Sequence, residues 1–197
     1  MEGTNPVNKK LVAALSGGAA LVLALTGCGG GGDDSKKKLD DWAKNVCDQM
    51  QPQVKKIQEA NSSIANVQNE EDSKKIQQTD STAFQANADA YRALGTSVDR
   101  AGAPPVKDGE TSQKNAVKAL NDLSTAYTGL KKRMDALDTK DKAKFAEGLK
   151  SIATDIGKLS SRSDEALKKL QSGDVGKAMA KQPGCQKSSV TPTPTKK

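Results

Sequence analysis

AVKALNDLSTAYTGLKKRMDAL, residues 116–137, decides how this chain folds. Its apolar side chains fall at Ala116, Leu120, Leu123, Tyr127, Leu130, Met134 and Leu137, in alternating steps of four and three. At about 3.6 residues per turn, those steps keep one stripe on a single side of a helix. Lys118, Asp122, Lys131 and Arg133 fall outside it. A strand would alternate every second residue and would favour β-branched side chains, and this stretch does neither. The stripe is narrow and continuous, so it predicts a long helix packed along its length against others.

The same spacing recurs on both sides. Upstream, Leu39, Ala43, Val46 and Met50 lead through a polar slot at Gln53 to Ile57, Ala60, Ile64 and Val67. A second seam reads Phe84, Ala88, Tyr91, Gly95 with Leu94 beside it, and Val98. Downstream come Phe145, Leu149, Ile152, Ile156, Leu159, Ser163, Ala166 and Leu170. The breaks agree with this division: Glu70, Glu71, Asp72 and Ser73 supply acidic and capping residues at a helix start, Gly102-Ala103-Pro104-Pro105 stops the second segment, and Asp138-Thr139 offers an N-cap for the fourth. Pro52 lacks an amide and crowds the carbonyl four residues before it, so it is expected to kink the first helix or divide it. Gly148 and Gly157 each weaken the fourth by about 1 kcal/mol relative to Ala, which close helix contact would explain. Long helices joined by short turns predict an all-α fold, an antiparallel up-down-up-down four-helix bundle with crossing angles of about 20°. A short C-terminal helix from Asp174 to Ala180 follows, ended by Pro183-Gly184.

Composition narrows the function. The chain has 197 residues, 35% hydrophobic and 3% aromatic, enough for one modest domain. Lys+Arg 31 against Asp+Glu 24 gives a net charge of +7. The cations come in short clusters, such as Lys36 to Lys38, Lys74-Lys75 and Lys131 to Arg133, with acids between most of them. Solvated helix faces are the expected reading, with attraction to phospholipid headgroups or an anionic wall polymer as the alternative. Nucleic acid is not an expected partner, because no aromatic platform accompanies the lysines. There is no histidine, which removes the commonest general base and the commonest transition-metal ligand together.

The N-terminal residues set the location. Lys9-Lys10 precede an apolar stretch from Leu11 to Leu25, broken at Ser16-Gly17-Gly18. This has the basic and hydrophobic regions of a secretory signal peptide and is short for a spanning helix, which needs about 20 residues. Leu25-Thr26-Gly27-Cys28 then resembles the lipobox of bacterial lipoproteins. The resemblance implies a diacylglycerol thioether on Cys28, cleavage just before it, and in some lipoproteins an added N-acyl chain. The expected division is a signal peptide over 1–27, a lipidated flexible tether over 28–38, a helical domain over 39–187 and a disordered Thr/Pro tail over 188–197. Gly29 to Gly32 lack the Gly-Lys-Ser/Thr of a phosphate loop, and that reading is rejected.

Once Cys28 carries lipid, Cys47 and Cys185 are the two thiols left in an exported chain. In an up-down-up-down bundle the start of the first helix and the end of the fourth lie at one end, so a Cys47–Cys185 disulfide is expected. Two free thiols or an intermolecular bond are the alternatives. Trp42, the sole tryptophan, lies about one turn before Cys47 and is expected in the core, with a surface binding anchor as the alternative.

LDDWAKNVC (39–47), GAPP (102–105) and GDVGKAMAKQPGC (173–185), together with the lipobox and the Gly/Asp/Lys tether, resemble small secreted lipoproteins of streptomycetes and related actinomycetes. No active residue carries over from that family. The resemblance implies a host with a single membrane, hence attachment to the outer face of the cytoplasmic membrane.

An enzyme is not expected. The cysteines are assigned, no serine sits in a nucleophile elbow, and pairs such as Glu70-Glu71 lie in solvated runs. Met50, Met134 and Met179 are candidate ligands for a soft ion such as Cu(I), but core filling is the expected role, so no metal and no cofactor beyond the lipid is predicted. What remains is a non-catalytic interaction module that contacts an envelope protein or wall polymer, or alternatively a carrier of a small apolar ligand. With Trp 1, Tyr 2 and Phe 2, the seams are short of the large apolar surface a carrier needs.

Overall fold

The computed structural model describes residues 33–67, 69–170 and 172–186, and for residues 33 and 160–170 it gives the course of the backbone alone. The described chain is all-helical, with no strand among the described residues. Helix α1 spans Asp33–Asn66, α2 Ser73–Ala101, α3 Gly109–Asp135, α4 Lys142–Leu170 and α5 Gly173–Ala180, and a 3-10 turn covers Pro183–Cys185. Residues 1–27, expected to be a signal peptide, Cys28 and the tail expected over 188–197 lie outside the described residues.

The seams are where the periodicity puts them. In α3, Ala116, Leu120, Leu123, Tyr127, Leu130 and Met134 are all buried. In α1, Leu39, Ala43, Val46, Met50, Ala60 and Ile64 are buried around the half-buried Gln53 and Ile57. Phe145, Ile152 and Ile156 carry the described part of the α4 seam, whereas Ser163, Ala166 and Leu170 fall among the side chains not described. Seams of this kind stabilise because each buried methylene contributes about 0.8 kcal/mol when taken from water.

Four local expectations change. Residues 33–38, expected to end a flexible tether, are the first turns of α1. Acidic residues at its start suit the positive end of the helix dipole, and Lys37 pairs with Asp41 at 2.7 Å one turn on, so the segment holds helix while residues 34–38 stay exposed. Pro52 does not divide α1, which runs through it as one helix. The carbonyl it cannot serve belongs to Asp48, on the exposed side. The cap of α4 is Asp141, whose Oδ1 accepts from the backbone amides of Ala143 and Lys144, both at 3.1 Å, while Asp138 closes a tight turn onto Lys140. Finally, an added Cβ at Gly148 would meet Leu137 at 2.3 Å, as close contact predicts, but one at Gly157 would meet nothing within 4 Å.

The helices build two cores. The first gathers Leu39, Trp42, Val46 and Met50 of α1, Leu94 and Val98 of α2, Ala116 and Leu120 of α3, and Val175 and Met179 of α5. The second gathers Ala60 and Ile64 of α1, Phe84 and Ala88 of α2, Tyr127, Leu130 and Met134 of α3, and Ile152 and Ile156 of α4. Tyr91 packs against both and stacks on Tyr127 with centroids 5.4 Å apart. The most extensive helix contact is α2 on α3, followed by α1 on α2; α4 rests mainly on α3, while α5 and the 3-10 turn rest on α1.

Candidate functional site

The disulfide end is built around Cys47. It is fully buried on α1, its sulfur lies at bonding distance from that of Cys185, and the two Cα atoms are 5.0 Å apart. The approach depends on Gly184: a Cβ there would come within 2.7 Å of the Cys47 carbonyl oxygen and 3.1 Å of the Asp48 amide. Only glycine lets the 3-10 turn lie flat on the α1 backbone. Lys181 reaches Asp40 at 3.7 Å and ties the same two segments together.

Trp42 is not a surface anchor. It is 8% exposed, packs in the first core, and its indole N–H donates to the Gly102 carbonyl at 3.0 Å, just past the end of α2. A buried indole needs an acceptor and a helix end has carbonyls to spare, so the two needs are met together. Gln77 does the equivalent at the other end: its side-chain amide donates to the carbonyls of Met134 and Leu137, both at 2.9 Å, closing the end of α3. The three methionines are not brought together. Met50 and Met179 lie in the first core and Met134 in the second.

The inner face of α2 holds polar groups that the apolar pattern does not reveal. Asp80 is 7% exposed and Asn87 0%, and Ser81 is buried beside them. The Ser81 hydroxyl donates to Asp135, a carboxyl held below its usual range first by the Lys131 hydrogen bond and then by Ser81. Asn87 donates its amide to Asn61 of α1 at 3.1 Å, but its own Oδ1 has no partner, nor has Oδ1 of Asp80. Burial pushes the Asp80 carboxyl up to about 7. The available signal was spacing: Asp80, Ala83, Asn87 and Ala90 recur at steps of three and four, a stripe hidden because its members are small or polar.

Grooves mark the surface of the described residues. One of about 730 Å³ runs between α1 and α2, walled by Lys56, Ala60 and Ser63 on one side and Thr82, Ala86 and Asp89 on the other. A smaller one of about 280 Å³ lies between α3 and α4 and is crossed by the Arg133–Asp155 pair. Neither groove is lined by Asp80 or Asn87. Among the described residues no group of three or more His, Cys, Asp or Glu is placed to hold a metal ion, and no helix is long and apolar enough to cross a membrane.

No family model, no curated protein and no solved structure matches this chain.

Proposed function

We propose that this chain is an extracytoplasmic lipoprotein, held by a diacylglycerol on Cys28 at the outer face of the cytoplasmic membrane, whose helical domain is a non-catalytic interaction module for an envelope partner. The observation that carries it is Leu25-Thr26-Gly27-Cys28 at the end of an apolar run. The cysteine count supports it: Cys47 and Cys185 take each other, which leaves Cys28 for another chemistry. In this reading α1 to α4 form the up-down-up-down bundle. Support comes from paired landmarks: Trp42 meets Gly102 while Asn61 meets Asn87, and Gln77 meets Met134 while Gln113 meets Asp99. Numbers that rise along one helix fall along its neighbour.

The interaction module is favoured over a small-ligand carrier because the larger groove is open and walled by alanines and polar side chains, whereas a carrier needs an enclosed apolar chamber. Metabolic labelling with a palmitate analogue tests the anchor. Wild type is expected to take up label and Cys28→Ala to lose it; an unlabelled wild type, or label that survives in Cys28→Ala, overturns it. Cross-linking in living cells followed by native mass spectrometry tests the module. A specific envelope protein is the expected product, and a co-purifying apolar small molecule would replace this reading with the carrier.

A further inference from the structure

We propose that residues 142–186 form a redox-released arm: the Cys47–Cys185 bond keeps α4, α5 and the 3-10 turn shut over α1 to α3, and its reduction frees the arm to change places with the arm of a second copy. The inference starts from how the arm is held. α1 packs on α2 and α2 on α3, and these are the most extensive helix contacts described. The chain after α3 then bridges the outer two helices: α4 rests mainly on α3, while α5 and the 3-10 turn rest on α1. The end of this segment, Cys185, is fastened to Cys47 of α1. One covalent bond thus closes a segment whose other attachment along the chain is the turn at its start.

The rest of the attachment is separable. Among the described side chains, the arm buries Phe145, Ile152 and Ile156 from α4 and Val175, Ala178 and Met179 from α5. Arg133 with Asp155 and Lys181 with Asp40 are partly exposed ion pairs, of the kind that contribute little. The pivot is the turn from Asp138 to Asp141. Gln77 of α2 clamps the carbonyls of Met134 and Leu137, so the chain is fixed to the body as far as Leu137. Beyond it no glycine or proline forces a reversal. The hydrogen bonds of Asp138 and Asp141 are local, to the amides of Lys140, Ala143 and Lys144, so Asp141 travels with the helix it caps.

Access to the bond is uneven: Cys47 is fully buried, whereas Cys185 is half-buried. A thiolate of a small dithiol attacks the Cys185 sulfur, and the Cys47 sulfur leaves as thiolate and takes up a proton. The second thiol of the reductant then displaces Cys185 from the mixed disulfide. The reductant ends as a disulfide, its two electrons and two protons passed to the two cysteines. Lifting the arm opens both cores on the side where Ile152, Ile156, Val175 and Met179 complete them. The segment shown to fit that face is residues 142–186, and a second copy supplies the same segment through the same contacts. Reoxidation then joins Cys47 of one copy to Cys185 of the other.

Two full-length variants, Cys47→Ser and Cys185→Ser, test the exchange, since neither can close its own bond. Mixed in dithiothreitol and then oxidised in air, they are expected to give a covalent dimer in which Cys185 of the first is joined to Cys47 of the second. Absence of that linked peptide overturns the exchange. Should the variants not fold, wild type decides through amide hydrogen exchange with and without dithiothreitol at one pH. Reduction is expected to quicken exchange at least about tenfold at Ile152, Ile156 and Val175 to Met179, and less than about twofold at Leu94 and Leu123. An unchanged arm, or equal quickening of arm and body, overturns the release. Neither measurement depends on acylation of Cys28, because the linked peptide identifies the pair and the exchange rates identify the segment.

Discussion

The two ends of this molecule share α1, α2 and α3 and differ in how the fourth side is closed. At one end a short helix and a 3-10 turn are fastened to α1 by the Cys47–Cys185 bond, and the core beneath, from Trp42 to Met179, is apolar. At the other end α4 packs on a core that contains Phe84 and Met134, and α2 buries the polar side chains Asp80, Ser81 and Asn87. The first closure is covalent and indifferent to pH near neutrality. The second depends on packing. Covalent closure is thereby placed at the end nearest the proposed anchor, and closure by packing at the far end.

The comparison breaks most directly at the bond. Loop entropy across a sequence separation of 138 residues sets an upper limit of about 5 kcal/mol on its contribution. Urea unfolding of Cys47→Ala/Cys185→Ala is expected to show a loss of several kcal/mol. A loss below about 1 kcal/mol would mean that α5 packing alone closes that end. Asp80 comes next. Its folded carboxyl titrates at about 7 and an unfolded one at about 4, so the folded state holds the proton longer. Stability is therefore full below about pH 4 and declines as pH rises to about 7, by up to about 4 kcal/mol. Asp80→Asn is expected to match wild type at pH 4 and to exceed it at pH 8; a variant weaker at both would sink the assignment.

Much of this was legible before any coordinates. The seams of α3 and α1 could be read because Leu, Met and Val mark buried positions unambiguously, and the bond between Cys47 and Cys185 was expected from the cysteine count and from the helix ends that the up-down-up-down reading brings together. Two features escaped for physical reasons. The buried polar face of α2 carries Asp80, Ser81 and Asn87 at positions where hydrophobicity says surface, and only tertiary packing around them shows otherwise. The start of α1 escaped because residues 33–38 bury no apolar group, so periodicity has nothing to detect; local charge pairing such as Lys37 with Asp41 holds the helix instead. Trp42 shows the reverse case, a residue whose burial was readable and whose hydrogen-bond partner, the Gly102 carbonyl sixty positions away, was not.

That partner and its counterpart sharpen the comparison at smaller scale. Trp42→Phe keeps a ring but leaves the Gly102 carbonyl without its indole donor, and Gln77→Leu removes the amide from the end of α3. Each is expected to cost about 1–2 kcal/mol in chemical unfolding. Exchange should place the first loss at the end of α2 and the second at the end of α3. Equal loss throughout would argue that the two cores act as one cooperative unit, which the Tyr91–Tyr127 stack between them permits.

The smallest effects lie in the two turns at the α4 end. Asp72 accepts from the amides of Lys74 and Lys75 at 2.9 and 3.3 Å and caps α2, so Asp72→Ala is expected to cost about 1 kcal/mol. Asp141 does the same for α4, and its hydrogen bonds, first to the Lys144 amide, hold the carboxyl below its usual range. A carboxyl depressed in the folded state stabilises above the unfolded value and loses that contribution as pH falls through the acid range, the opposite sense to Asp80. Asp141→Ala should therefore lower the thermal midpoint at pH 6 and approach wild type at the acid limit. Asp138→Ala, which touches only the Lys140 amide, should move the midpoint less at every pH. If Asp138→Ala proved the more damaging, α4 would begin three residues earlier than its hydrogen bonds place it.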